Sequence, residues 1–307
     1  MKVAIVGAGM AGLTCGGRLA EAGHRVTLFD KGRGPGGRMA SWRAEADGET
    51  LHFDHGAQYF TVTDDRFRKQ VDAWADAGVV APWPAAKKGA WVGTPAMNAP
   101  VRAMAEAQEV HFLTRVVSVD REPAGWRLDG VEDAFDALVV AVPAEQVAPL
   151  IEPHNADFAS LARDTQSDPC WTAMVAFDGP VDHSDTMRDR GALGWAARNS
   201  AKPARDGREN WVVQASPEWS RTFLERDADE VIPLLLESFA EQVGDELPPI
   251  RHAAAHRWRY ARCGNAGEGA LWDEEARLGV CGDWLLGPRV ECAFLSGLEL
   301  ADRIGGA

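Results

Sequence analysis

Cysteine is scarce: Cys15, Cys170, Cys263, Cys281 and Cys292 are the only five in 307 residues, with no C-x-x-C pair and no Cys/His group at zinc spacing. That argues against a disulfide scaffold and a metal site, and five free thiols in a reducing cytoplasm are expected. Long apolar runs are missing as well. No stretch reaches the roughly 20 residues of a membrane span, and the run Val3 to Val6 breaks into glycines before it could form the core of an export signal. A cytoplasmic, unexported protein is the expectation. Positive charge is outnumbered, with 32 Lys plus Arg against 46 Asp plus Glu and a net charge of -14. Such a surface repels phosphate backbones and anionic lipid, so neither nucleic acid nor membrane is an expected partner. An anionic ligand would have to be caught by a local arginine cluster or a helix N-terminus. Neither a G-x-S-x-G elbow nor an H-E-x-x-H helix occurs, and hydrolase readings lose their footing.

What remains is ordinary globular composition, 46% hydrophobic and 25% charged. A chain of this length exceeds the size at which one core stops growing, so two lobes are expected. The opening reads strand Lys2 to Val6, a glycine turn, a helix to about Ala22, and a strand Arg25 to Phe29 ending at Asp30, which makes one βαβ unit. Two antiparallel strands are expected over Val110 to Asp120 and Gly125 to Asp129, followed by an apolar strand Phe135 to Val142. Between about 151 and 269 the texture changes to alternating strands such as Trp171 to Phe177 and Asn210 to Ala215. A helix is expected over Asp229 to Val243, with Pro233 in its first turn or kinking it. The polar stretch Asn199 to Asn210 reads as an exposed loop. The opening style returns with a strand Leu278 to Cys281, Gly282-Asp283 and a helix Arg289 to Ile304. The expected fold is therefore α/β: a Rossmann-type cofactor domain assembled from about 1 to 60, 96 to 150 and 272 to 307, with a mixed α+β substrate domain from 61 to 95 and 151 to 271.

The chemistry is concentrated in the turn Gly7-Ala8-Gly9-Met10-Ala11-Gly12. Gly7 makes the tight bend, Gly9 lets backbone approach a pyrophosphate, and Gly12 allows close packing of helix on strand. The helix N-terminus holds the anion, and Asp30 accepts from a ribose diol. This fingerprint serves NAD and FAD alike. A second glycine pair, Gly36-Gly37-Arg38, and the distant Gly282-Asp283 favour FAD, which is long enough to need both ends of the chain. A nicotinamide-dependent dehydrogenase has no reason for the second feature.

The runs Val3 to Gly12, Asp30-Lys31, Gly36-Gly37-Arg38-Met39, Asp54-His55-Gly56-Ala57-Gln58-Tyr59 and Gly282-Asp283 resemble the FAD-dependent amine-oxidase-like superfamily. Within it, Ala57-Gln58-Tyr59 and His256-Arg257-Trp258-Arg259-Tyr260 are most similar to the bacterial renalases. The resemblance covers both ends of the chain and fades across 151 to 250. It implies a two-lobed flavoprotein with non-covalent FAD that oxidises 2- and 6-dihydro isomers of NAD(P) and passes the electrons to O₂, giving hydrogen peroxide. Carried over residue by residue, it places FAD against Ala11, Asp30, Arg38, Ala57, Gln58, Val116, Asp283 and Val290. Arg289 and Glu291 depart from the vertebrate members, which bears on substrate preference. The flavin carries the hydride chemistry, a dihydropyridine needs no general base, and the helix beginning at Arg289 is placed to face the charge left on the ring. Candidate pocket residues are Tyr59, His256, Trp258 and Arg289. His256, Trp258 and Tyr260 share one strand face, Arg257 and Arg259 the other. An amine oxidase or desaturase-like enzyme, and a flavin-bound redox sensor without turnover, stay open as alternatives. A carboxylate pair of Asp54 and Glu291 is given little weight.

Overall fold

The computed structural model describes residues 1–206 and 208–306. Its first layer is a six-stranded sheet in the order Leu271–Asp273, Leu278–Val280, Ala137–Val140, Lys2–Val6, Arg25–Phe29, Val110–His111. All neighbours run parallel except the antiparallel pair at the Leu271–Asp273 edge. The central strands are apolar on both faces, as burial from both sides requires. Val3 and Ile5 face the first helix, Met10–Glu21, and the C-terminal helix, Val290–Gly305, through Leu13, Leu19, Phe294 and Ile304. Ala4 and Val6 face a three-stranded meander and two helices through Trp126, Phe135, Val147 and Ile151.

The second layer is a five-stranded antiparallel sheet in the order Thr186–Arg190, Leu193–Arg198, Asn210–Ala215, Asp168–Phe177, Ile250–Arg262. Along its strand Asp168–Phe177 the side chains alternate between two covers. Trp171, Ala173, Val175 and Phe177 pack with Leu235, Leu236 and Phe239 of the helix Ala228–Val243. Met174 and Ala176 pack with Leu51 and Phe53 of a hairpin formed by Trp42–Ala46 and Glu49–Phe53. Segment 60–93 adds a helix, Asp65–Asp76, whose Phe67 meets Phe294 of the C-terminal helix with ring centroids 5.0 Å apart.

The structure corrects several local expectations. Val110 to Asp120 is not one strand: Val110–His111 pairs with the edge of the parallel sheet, and Leu113, at φ 57°, turns the chain out before Val119–Glu122 pairs with Gly125–Leu128. Phe135 to Val142 divides into Ala134–Phe135, which joins the meander, and Ala137–Val140, which joins the parallel sheet. Pro233 lies in the second turn of its helix, past the first turn where its missing N–H costs nothing. The stretch Asn199 to Asn210, whose residue 207 lies outside the described residues, is not an exposed loop. Asn199, Lys202 and Asn210 are buried, because the segment inserts its polar side chains against Asp54. No helix among the described residues is long and apolar enough to cross a membrane.

Candidate active site

Between the two sheets lies a cleft of about 1800 Å³, larger than the 300 to 1,000 Å³ typical of a site for one small ligand. Its floor is the glycine turn. Gly7 sits at φ 105°, and a Cβ there would fall 2.4 Å from the carbonyl oxygen of Ala141. A Cβ on Gly12 would fall 2.0 Å from the Gly7 oxygen, so the first helix can approach the strand this closely only with glycine. At Gly9, by contrast, a Cβ would meet nothing within 4 Å, and the first-turn N–H groups open onto the cleft without a side-chain cap. Asp30 closes the turn from the next strand, its carboxylate accepting from Ala8 N at 2.8 Å and from Gly32 N at 2.7 Å. A backbone cradle open at the middle glycine, a fixed carboxylate beside it, and room for two ligands together fit FAD.

The far end of the cleft is tied to the near end by one ion pair. Arg38, from the short turn Gly37–Met39, donates from Nη2 to Asp283 Oδ1 at 2.5 Å, and Asp283 is nine-tenths buried at the start of the turn Asp283–Leu285. The C-terminal helix opens beside it with Arg289 as its N-cap. Glu291 in its first turn is fully buried and accepts from Thr63 N at 2.6 Å, Thr63 Oγ1 at 2.7 Å and Asp64 N at 2.8 Å, with Arg289 Nη1 at 3.0 Å. Asp54 and Glu291 therefore serve separate clusters and form no acid/base pair.

Asp54 is the centre of the second cluster. Its Oδ1 accepts from Met97 N at 2.8 Å and Ser41 Oγ at 2.9 Å, and its Oδ2 from Arg205 Nη2 at 2.6 Å and Lys202 Nζ at 3.2 Å. Burial pushes the Asp54 carboxyl up, but the Lys202 and Arg205 charges outweigh it and hold the group well below its ordinary range. Burial, with the Arg205 charge beside it, pulls the Lys202 ammonium down to about 8 against the opposing pull of Asp54. Lys202 also donates to Gln58 Oε1 at 3.0 Å, and Gln58 Nε2 donates to Gly56 O at 3.0 Å and to Asp54 O. The Gln58 side chain is thus committed to this cluster, which leaves its backbone to face the cleft.

His55 packs between His256 and Trp258 of the strand Ile250–Arg262, with ring centroids 4.9 and 5.0 Å away, and Trp258 Nε1 donates to His55 O at 2.8 Å. Burial, then the nearby His256, pulls His55 down to about 4. Unfolded histidine titrates near 6.5. Between those values the unfolded chain takes a proton that the folded chain refuses, so stability is full above pH ~6.5 and falls as the pH drops towards 4. Urea unfolding at pH 7, 5.5 and 4 is expected to show this loss, on the order of 2 kcal/mol, and to show it reduced in His55→Gln. An equal loss in both proteins would place the acid sensitivity elsewhere.

Of the residues singled out from the sequence, Gly7, Gly9, Ala11, Asp30, Lys31, Gly37, Arg38, Ala57, Gln58, Val116, Gly282, Asp283 and Val290 all line this one cleft, as do Tyr59, His256, Trp258 and Arg289. Gly12 does not line it, since it packs beneath the turn. Arg257 and Arg259, on the opposite strand face, also border the cleft but spend their charge on Glu225 and the Leu224 carbonyl. The sequence reading passed over Arg188, Trp195, Gln214 and Cys170, which also line the cleft. Cys170, Trp195 and Gln214 lie on strands buried on both faces and Arg188 on an exposed edge strand, so nothing in the pattern marks any of them as a cleft residue. Lys202 and Arg205 were passed over because a run with Pro203 and five charges reads as solvated.

Residues 85–305 match the family described as flavin-containing amine oxidoreductase, and residues 5–74 match an NAD(P)-binding Rossmann-like domain. A 4,4'-diapophytoene desaturase of Staphylococcus haemolyticus is 45% identical over 64 residues, which are 21% of this chain and only 12% of the desaturase. Among solved structures, an Exiguobacterium protein assigned as a protoporphyrinogen oxidase superposes with a TM-score of 0.76 at 12% identity, covering 99% of this chain and 98% of its own. Cyclohexylamine oxidase from Brevibacterium oxydans gives 0.69 at 12% identity, covering 99% and 98%. Putrescine oxidase bound to putrescine gives 0.70 at 15% identity, covering 100% of both chains. At these identities the superpositions speak for the fold.

Proposed function

The chain belongs to the flavin-containing amine oxidoreductase family, and from that premise we propose that it oxidises an anionic dihydronicotinamide dinucleotide, the 2- or 6-dihydro isomer of NAD(P), with O₂ as the final acceptor. It is a flavin oxidoreductase and its cofactor is FAD. When bound, FAD would supply a two-electron acceptor for one hydride and a route for those electrons to O₂, so that dihydro-NAD(P), O₂ and a proton give NAD(P)⁺ and hydrogen peroxide.

The observation that carries the substrate class is the charge of the cleft. Eleven of its lining residues are Lys or Arg and four are Asp or Glu, in a chain whose net charge is -14. A cleft of one sign focuses the field and raises the local concentration of the opposite charge, by about 10 to 10³ in association rate. It disfavours the ammonium of an amine substrate, and a carotenoid would leave the charges unpaired. The protein's part is to bind and orient. The turn at Gly7, Gly9 and Gly12 would hold the cofactor pyrophosphate, Asp30 its ribose, Arg38 a phosphate, and Asp283 the polyol chain, with Ala57, the Gln58 backbone, Val116 and Val290 as further contacts. Tyr59, His256 and Trp258 would wall the substrate side, and Arg289 at the head of the C-terminal helix would face negative charge developing on the ring. In this reading the cofactor lobe is drawn from 1–60, 96–150 and 272–307. The cytoplasm, where the substrates and reduced thiols coexist, is the proposed compartment.

Anaerobic mixing of the FAD-loaded protein with each reductant tests this. Loss of the oxidised-flavin bands is expected with 6- or 2-dihydro-NAD(P), and little or none with putrescine or cyclohexylamine at the same concentration. Bleaching by amines alone would overturn the proposal in favour of an amine oxidase, and bleaching by neither would favour a redox sensor.

A further inference from the structure

We propose that Arg188, on the edge strand Thr186–Arg190 of the substrate sheet, reads a phosphate of the substrate and so sets specificity for phosphorylated dihydronicotinamides over unphosphorylated ones. The inference rests on the dihydronicotinamide reading above. Arg188 belongs to none of the elements that carry the glycine turn, Asp30, Arg38 or the C-terminal helix, yet it lines the same cleft. Its charge is therefore available to a ligand other than the cofactor.

Its guanidinium is held in place by aromatic rings. It lies 4.3 Å from the Trp195 ring centroid and 5.4 Å from that of Tyr59, whose own rings are 5.5 Å apart. Nη1 donates to Tyr59 Oη at 3.1 Å, and Nη2 to the Ala86 carbonyl. A guanidinium has five N–H donors in a planar fork, and these two contacts leave three without a partner among the described residues. No carboxylate lies within ion-pair distance of it among those residues. Asp189, the next residue, also lines the cleft and has no ion-pair partner among the described residues. Arg38, Arg257, Arg259 and Arg289 each share their charge with a carboxylate, while Arg33, Arg102, Arg115 and Arg262, unpaired on the cleft among the described residues, have no aromatic ring against them there. Arg188 also anchors the loop that carries Lys87, a second cation on the cleft wall.

A stacked, uncompensated guanidinium with free forked donors is the side chain that matches phosphate bidentately, and the two rings and two hydrogen bonds already restrict it before the ligand arrives. Tyr59 and Trp195 beside it offer flat faces to the nicotinamide end. A phosphate on Arg188 would then fix the distance of the dihydropyridine from its tail, and a neutral riboside would forgo that contact while keeping the aromatic one.

The test compares anaerobic flavin reduction by 6-dihydro-NAD(P) and by 6-dihydronicotinamide riboside in the FAD-loaded wild type, Arg188→Ala, Arg188→Met and Arg188→Lys. Arg188→Ala is expected to raise the dinucleotide concentration for half-maximal rate about ten- to a hundredfold, the worth of a charged hydrogen-bond contact. The limiting rate should stay within about twofold and the riboside should be unaffected. Arg188→Met keeps an apolar chain over Trp195 and carries the same expectation should the alanine variant fold poorly. Arg188→Lys should fall between. A wild type reduced by the dinucleotide whose variants lose dinucleotide and riboside equally, or lose neither, overturns the role of Arg188 and leaves the wider reading standing. A wild type reduced by neither compound overturns both.

Discussion

Asp54→Ala is expected to lower the unfolding free energy by about 3 to 5 kcal/mol, the cost of removing one partner from a buried ionic cluster. Lys202 and Arg205 have side chains 0% and 3% exposed, and both lean on this carboxylate. Without it, two cations face each other in a space that excludes water. Met97 N and Ser41 Oγ lose their acceptor as well. Urea denaturation with an unchanged slope measures the loss. Asp54→Asn, which keeps the shape and an acceptor oxygen but not the charge, should lose most of the same stability. If the alanine variant lost less than about 1 kcal/mol, as a surface ion pair would, the cluster would have to be hydrated and loosely held. A functional consequence is attached, because Gln58 is gripped by Lys202 and its neighbours Ala57 and Tyr59 stand on the cleft. Loss of the cluster should therefore loosen flavin binding along with the fold.

Arg38→Ala is expected to weaken FAD binding by about 1.5 to 3 kcal/mol, the usual worth of a hydrogen bond to a charged group, or roughly ten- to a hundredfold in affinity. The structure adds a second cost. Asp283 is buried, and its carboxylate would lose the ion-pair partner it has among the described residues. Arg38→Lys restores a charge but not the planar fork, and should recover only part of the binding. Titration of apoprotein with FAD gives the affinity, and unfolding of the apoprotein gives the stability lost with no cofactor present. An unchanged dissociation constant would make Gly36-Gly37-Arg38 a strap between distant segments and nothing more.

The parallel sheet and the glycine floor of the cleft were legible because their chemistry is local. Gly7, Gly9, Gly12 and Asp30 sit within one βαβ unit, and each is there for a backbone reason that the residue type alone announces. Gly282-Asp283 could be read as a return to the cofactor from its strand and glycine. Its ion pair with Arg38 could not, since two oppositely charged residues 245 positions apart have no pattern linking them. The second lobe was legible as strands and opaque as a site. Trp195 and Arg188 meet Tyr59 only because an antiparallel sheet brings their edge over the N-terminal segment. Leu113, with its left-handed backbone, and Lys202, buried beside Asp54, went against the usual habits of their residue types. Tertiary contacts explain Lys202. They do not explain Leu113, which is exposed and for which we have no physical account.

The order of the six-stranded sheet sets a schedule for biosynthesis. Ala137–Val140 waits for Leu278–Val280 to cover its outer edge, and Arg38 waits for Asp283. At about 5 to 20 residues per second, the 245 residues between Arg38 and Asp283 take roughly 10 to 50 s to emerge from the ribosome. During that interval the glycine turn exists but half of its cleft does not. The antiparallel sheet of the middle segment has every strand it needs before the parallel one is complete. The cleft is therefore completed last, and a nascent chain stalled before Leu278 carries an open apolar edge along Ala137–Val140.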